Sequence, residues 1–557
     1  MTDKLIHQLT EDYAEYLKDE SRSVGEAESI SFPVSEEEVR AIVKEEYAAG
    51  HRITVQGART GLAAAAVPHG GHVLNLMKMN RVTALRKGED GLFYITVEPG
   101  AILSQVKKAI ESRKFNQTGW SEESKKAFIE FSAAPEQLLT PDPTESSATI
   151  GGMVSCNASG ARSYLYGPTR GRVNALRVVL CDGDVLALKR GEVFARGRDL
   201  TLTTEGGKTI NVKLPTYQLP KTKNASGYYI ADDMDAVDLF IGSDGTLGVI
   251  TSIELTLLPM PATIWGVTCF FAEESQAIRF VQKVREEIKN LSSLEYFDGR
   301  ALNLLRKQKA ESTAFAQLPF IDPAYGCAVY TEVHCDNEEQ ATAGLFAIGD
   351  AMKACGGSED NTWVARNASE RDILYFFRHA TPESVNMTID KRKKIDPVIT
   401  KLGSDMSVPD KYLADVVAMY EKDLAAGGFD YVKFGHIGNN HLHVNILPRN
   451  GEEYKNGKEL FKKWAAEVTK MGGAVSAEHG VGKLKADFLM VMYGPEHIKE
   501  MAELKAAFDP KGLFGTGNLF TPVVKGCCSP AGSNYISSLQ SGAPGACPAD
   551  EIVKEGT

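Results

Sequence analysis

Apolar positions along the chain recur with two periods, and the switches between them divide it into units. Val39, Ile42, Val43 and Tyr47 fall at helical spacing behind Ser35-Glu36-Glu37-Glu38, which has the Ser-x-x-Glu form of a capping box. The spacing predicts a helix that Gly50 ends, and Arg52-Ile-Thr-Val-Gln56 then reads as a strand running into a glycine turn. Helix, strand and glycine loop open an α/β unit whose backbone amides can face an anion. Further strands are expected at 92–97, 176–181 and 249–257, with a β-rich excursion between Asp184 and Lys213. Pro259 and Pro261 mark a boundary, beyond which longer helical patterns alternate with strands to about Leu447, predicting an α+β second domain. From Lys525 onward Gly, Ser, Pro and Ala dominate, which predicts a flexible tether or a strap across a partner.

Composition narrows the function classes. With 557 residues, 43% hydrophobic and 24% charged, the chain is long and apolar enough for more than one packed core. A net charge of −11 opposes binding to nucleic acid. The apolar uncharged stretch Leu255 to Ala272 carries Pro259 and Pro261, so no membrane span is expected. The charged amino terminus has no apolar leader, and the nine cysteines have no CxxC spacing. Free thiols in a reducing cytoplasm are the expectation, with neither a disulfide framework nor an iron–sulfur cluster.

Two glycine-bearing loops can cradle an anion. The first is Gly57-Ala58-Arg59-Thr60-Gly61, followed by Ala63 to Ala66. The second runs from Pro141 and Thr144 through Gly151, Gly152, Ser155, Asn157 and Ser159 to Gly160. Small residues let the backbone approach a ligand, and successive N–H groups form a nest for phosphate oxygens without a Rossmann GxGxxG. In the second half, Gly435-His436-Ile437-Gly438-Asn439-Asn440-His441-Leu442-His443 runs straight into a strand, and Ser476-Ala477-Glu478-His479-Gly480 follows downstream. On an extended backbone His441 and His443 share a face. Imidazoles with a carboxylate and open positions suit zinc, manganese or iron(II) as a Lewis acid. Plain tight turns and hydrogen-bonded structural histidines are the competing readings.

Both loops, with Tyr166-Gly167-Pro168-Thr169-Arg170 and the Phe240 to Thr251 stretch, resemble the FAD-binding half of the vanillyl-alcohol oxidase/p-cresol methylhydroxylase superfamily. The histidine segment, Glu478-His479-Gly480 and Phe508 to Gly512 resemble its D-2-hydroxyacid dehydrogenase branch: D-lactate dehydrogenases, the glycolate oxidase catalytic subunit and D-2-hydroxyglutarate dehydrogenase. The resemblance runs in order from about residue 30 to 520. It implies an α+β, two-domain flavoprotein with a p-cresol methylhydroxylase-type FAD-binding domain and an α+β substrate (cap) domain. The units become an N-terminal segment over 1–34, the FAD domain over 35–260, and a substrate and metal domain over 261–524 whose last part packs back on the first. A tail over 525–557 completes them.

The same resemblance implies roles. The pyrophosphate lies against Gly57–Gly61 and Gly151–Gly160, and Gly248 and Ile250 meet the flavin; no histidine stands where some relatives attach FAD, so FAD is expected to be non-covalent. His436, His443 and Glu478 would hold a divalent ion, and His479 matches the catalytic base. Arg378 and Lys401 would hold the substrate carboxylate. Oxidation of a D-2-hydroxyacid is implied, D-lactate to pyruvate foremost, with D-2-hydroxyglutarate or glycolate as alternatives. Electrons would pass to a separate acceptor: electron-transfer flavoprotein, an iron–sulfur protein or a quinone. The expected setting is cytoplasmic, peripheral at the inner membrane face for a quinone, with a homodimer as the assembly considered. An alkyl-glycerone-phosphate synthase-like transferase and a non-catalytic subunit of a redox complex are the competing functions. Three departures stand out: His441 replaces a substrate-contacting asparagine, Gly515-Thr516-Gly517-Asn518 replaces Asn-Pro-Gly-Lys, and alanines replace glycines at Ala64 and Ala65, tolerable where φ is negative.

Overall fold

The protein, seen as a computed structural model, is described over residues 5–520; the tail expected at 525–557 lies outside the described residues. It has the α+β, two-domain architecture. In the first domain the strands Ile6–Gln8, Ser29–Ser31, His72–Asn75 and Ile53–Gln56 form a four-stranded sheet. A five-stranded antiparallel sheet lies beside it, in the order Val82–Lys87, Phe93–Val97, Val249–Thr256, Val173–Val179 and Val185–Lys189. Helix Glu36–Ala49 starts where Ser35 Oγ accepts from the Glu38 amide (3.3 Å). Its Val39, Ile42 and Val43 pack on Ile53 and Leu74 of one sheet and on Val179 and Val249 of the other, tying the two together.

The excursion after Asp184 is β-structured: Val185–Lys189 joins the sheet, and Asp199–Thr203 pairs with Thr209–Lys213 as a hairpin. One strand ends earlier than its apolar run. Leu180 and Cys181 continue the run but enter a tight turn, with the Leu180 amide donating to Asp184 O (2.8 Å).

The second domain is built on an eight-stranded sheet, ordered Thr362–Ala365, Thr263–Phe271, Cys327–Cys335, Leu291–Phe297, Tyr431–Gly435, His441–Ile446 and Leu402–Gly403, with Met406–Ser407 also pairing to His441–Ile446. Helices cover both faces, so every residue of Cys327–Cys335 is buried. Val267, Cys269 and Phe271 turn toward helices Glu274–Glu287 and Glu338–Ala354, and Phe270 turns toward Gly299–Glu311 and Ala368–Lys393. The chain then returns. Leu489, Met501, Leu504 and Phe508 of helix Ala486–Phe508 join the first domain's core with Tyr228 and Phe240, and Phe514 packs beside Val39. Residues 476–485 are therefore the crossing between the two cores.

Candidate functional site

Both glycine loops sit at the first domain's side of that crossing. The 57–61 loop follows strand Ile53–Gln56, and the second loop runs into helix Ile150–Ser155. They touch: a Cβ on Gly57 would fall 2.2 Å from Thr149 Oγ1, so only glycine lets the loops close. Gly160 is as tightly held, where a Cβ would stand 1.8 Å from Asp142 O. In front of Gly61 there is open space among the described residues, and Thr140 Oγ1, just before the second loop, is buried without a hydrogen-bond partner. A polar ligand lying along small-residue loops fits these features.

The individual residues are distributed as follows. Pro141 is buried and Thr144 exposed at a bend; Ala58 and Thr60 are half-buried. Arg59 has φ 60° and stacks its guanidinium 4.2 Å from the Tyr16 ring. Ser155 Oγ donates to Gly151 O (2.8 Å), and Thr149 caps the Gly152 amide. Asn157, at φ 52°, accepts from the Arg170 amide (3.0 Å). Gly248 has φ 149° and leads into the strand carrying Ile250, which pairs with Val178. Ser159 turns to the histidine cluster, donating to Glu478 Oε2 (3.2 Å). Ala64 corrects an expectation: its φ is +58°, not negative. It is buried in a turn where Ala64 O accepts from the Val67 amide (3.3 Å), and the packing there outweighs the side chain's preference. At the far end of the chain Asn518 Nδ2 donates to Ala65 O (3.1 Å) and Asp244 O (2.9 Å), closing this region.

The second half of the site is a compact polar cluster. Strand Tyr431–Gly435 delivers His436, a 3-10 turn with Asn440 at φ 51° reverses the chain, and strand His441–Ile446 brings back His441 and His443. Ring centroids of His441 and His443 are 4.4 Å apart. Glu478 Oε1 lies 3.1 Å from His436 Nε2 and 3.2 Å from His443 Nε2, while Oε2 accepts from Lys223 Nζ (2.6 Å). One ligand atom from each of His436, His441, His443 and Glu478 falls within 4.8 Å of all the others. Beyond the ring, His436 Nδ1–H donates to Glu295 Oε1 (2.6 Å), and Glu295 Oε2 accepts from Arg378 Nε (3.0 Å). The terminal nitrogens of Arg378 have no hydrogen-bond partner among the described residues. Asp405 accepts the Glu478 and His479 amides (3.3 and 3.2 Å) and so shapes the turn that carries both side chains. His479, 29% exposed, stacks on His443 and places Nδ1 3.4 Å from Asp405 and Nε2 3.4 Å from Glu478.

Charge follows this geometry. Burial alone would raise Glu295, yet His436 and Arg378 hold it down to about 2. Burial opposes a charge on His436, but Glu295 and Glu478 raise it above the ordinary imidazole range. Burial drives His441 and His443 below that range. Despite burial, His436 and Lys223 keep Glu478 well below the carboxylate range, and His479 and Lys485 do the same for Asp405. Imidazoles and an ionised carboxylate converging on one point form a donor set that fits a divalent ion.

Lys401 is not part of this group: among the described residues no hydrogen bond or ion pair joins its ammonium to the cluster, and burial followed by the Arg22 charge lowers its pKa. Glu295 and Lys223 are participants that motif reading passed over. Glu295 is the lone carboxylate in the otherwise uncharged strand Leu291–Phe297, which was a usable signal. Lys223, just before an Asn-Ala-Ser-Gly turn, gave none.

With this geometry in place, comparison with known proteins is direct. Residues 27–119 and 127–189 match the family "FAD binding domain", and residues 260–519 match "FAD linked oxidases, C-terminal domain". The chain is similar to a D-lactate dehydrogenase of Anaerostipes hadrus, 26% identical over 512 residues, covering 91% of this chain and 92% of that protein. It is equally similar to a D-2-hydroxyglutarate dehydrogenase of Stutzerimonas stutzeri, 26% identical over 520 residues, covering 91% and 94%. In fold it resembles substrate-bound p-cresol methylhydroxylase, with a TM-score of 0.62 at 17% identity, covering 94% and 95%. The chain belongs to the FAD-linked oxidases, and its fold is that of p-cresol methylhydroxylase. Within them it is an FAD-linked oxidoreductase of the D-2-hydroxyacid dehydrogenase type.

Proposed function

We propose that the protein oxidises D-lactate to pyruvate, with D-2-hydroxyglutarate and glycolate as the competing substrates, using non-covalent FAD and a divalent ion. The observation that carries this is Glu478 shared between His436 and His443 at 3.1 and 3.2 Å, directly beside a solvent-reachable His479. Bound FAD supplies the acceptor for the C2 hydride, and an ion held by His436, His443 and Glu478 supplies Lewis acidity at the hydroxyl. The chain's own groups do the rest. Arg378, with Nε fixed on Glu295, offers its terminal nitrogens as a fork for the substrate carboxylate. His479 takes the hydroxyl proton at Nε2 while Asp405 holds Nδ1. Lys223 fixes the second oxygen of Glu478. The loops at 57–61 and 141–160 hold the pyrophosphate through backbone amides. The substrate thus loses a proton and a hydride, and its two electrons leave through the flavin to a separate carrier: a protein or a quinone. No helix among the described residues is long and apolar enough to cross a membrane, so contact with a quinone would be made at a surface.

The test is anaerobic flavin bleaching with D-lactate, D-2-hydroxyglutarate, glycolate and D-malate. Fastest bleaching by D-lactate is expected, and chelation should abolish it while FAD stays bound. Undiminished bleaching in protein shown to be metal-free would remove the ion from the reading.

A further inference from the structure

We propose that His441 is a metal ligand through Nδ1, making a site of three imidazoles and one carboxylate with Asp405 orienting the third imidazole; this rests on the metal reading above. His441 is completely buried, and neither ring nitrogen has a well-formed hydrogen bond among the described residues. A buried imidazole without partners is costly unless something else meets it. One nitrogen has an evident neighbour: Nε2 lies 2.9 Å from Asp405 Oδ1, off the line of a hydrogen bond. The other, Nδ1, faces inward, 3.9 Å from Glu478 Oε2.

The remaining imidazoles repeat this arrangement. His436 gives Nδ1–H to Glu295 and turns Nε2 inward; His443 gives Nδ1–H to Ser404 O (3.1 Å) and turns Nε2 inward. Each ring therefore has an acceptor on its outer side, hydrogen-bonded for His436 and His443 and 2.9 Å away for His441, and an inner nitrogen toward Glu478, the pattern by which outer carboxylates and carbonyls orient metal-binding histidines. Two donors ~2.1 Å from one ion stand ~3 to ~4.2 Å apart. The 3.1 and 3.2 Å separations of His436 and His443 from Glu478 Oε1 fall inside that range, as does the 3.9 Å from His441 Nδ1 to Oε2, the other oxygen of the same carboxylate. Structural packing alone would have to explain three imidazoles crowded on one carboxylate, with the most buried of them left unpaired.

Zinc loading of the purified FAD-bound protein tests this. X-ray absorption at the zinc edge should count three imidazoles; a count of two overturns the role of His441 and leaves the ion in place. A protein that takes up no zinc overturns the metal reading itself, so the two failures are distinguishable. In chelator competition, His441→Asn should lower zinc affinity by at least ~100-fold with the flavin-to-protein ratio unchanged. Equal affinity in that variant would also overturn the proposal. The absorption measurement needs no substitution and stands even where the variant fails to fold.

Discussion

At the residue scale the site divides its labour between groups that reach solvent and groups that do not. His479 is 29% exposed, whereas Glu478 and His441 are buried, so only the former can exchange a proton with an arriving substrate. His479→Ala should slow flavin reduction by ~10²–10⁴-fold without loss of FAD, measured by anaerobic stopped-flow; an unchanged rate would mean that no protein base is needed. Arg378→Lys keeps the charge but loses the planar fork, and it should raise KM for the hydroxyacid far more than it lowers kcat. A pure kcat effect would instead mark Arg378 as acting through Glu295 and His436. The histidines and Glu478 were legible in the chain because glycines and repeated histidines flag them, whereas Arg378 was picked out only through the family resemblance. Glu295 and Asp405 were harder to assign, since their importance lies in what they touch: His436 in one case, the 478–479 amides in the other.

At the scale of elements, position in the sheet decides behaviour. His72 begins strand His72–Asn75 with its ring between Ser29 Oγ (2.8 Å) and Ser31 Oγ (2.7 Å), fully buried. Burial pushes its pKa from 6.5 down to about 3, helped by His51 and not compensated by the Glu46 carboxylate 4.0 Å away. The folded state therefore binds fewer protons here than the unfolded one. The stabilising contribution is complete above pH 6.5 and is lost progressively as pH falls toward about 3. Denaturant unfolding across that window should give a flatter pH dependence for His72→Gln than for the unsubstituted chain; identical slopes would refute the assignment. Helix and strand positions followed from apolar spacing, as in Glu36–Ala49. The end of Val173–Val179 did not, because the turn at Asp182 and Gly183 overrides an apolar run.

For the whole molecule, the junction of the two domains is the functional unit. Arg162 of the first domain donates to Glu332 of the second (3.1 Å) and to the Tyr375 hydroxyl, with Glu332 also accepting from Tyr330 (2.5 Å) and Ser292 (3.2 Å). Removing the guanidinium leaves the Glu332 charge buried with only hydroxyl donors and the His334 imidazole (3.0 Å) to meet it. Arg162→Met should cost about 3–5 kcal/mol, seen as a lowered Tm, and Glu332→Gln in the same chain should recover part of it. Additive losses would show that the pair is not coupled.

By itself the sequence determined the order of the elements and the identity of the small-residue loops and histidines, because each is written in local spacing, while the flavoprotein class came through the family resemblance those motifs carry. Only the tertiary structure decided which of them meet. The return of helix Ala486–Phe508 to the first core places Glu478 and His479 between the domains, next to Ser159 and Lys223 from the first and His436 from the second. It also left Lys401 outside and set His441 among the histidines. Contacts between residues hundreds of positions apart depend on how two cores pack, and no local pattern encodes that.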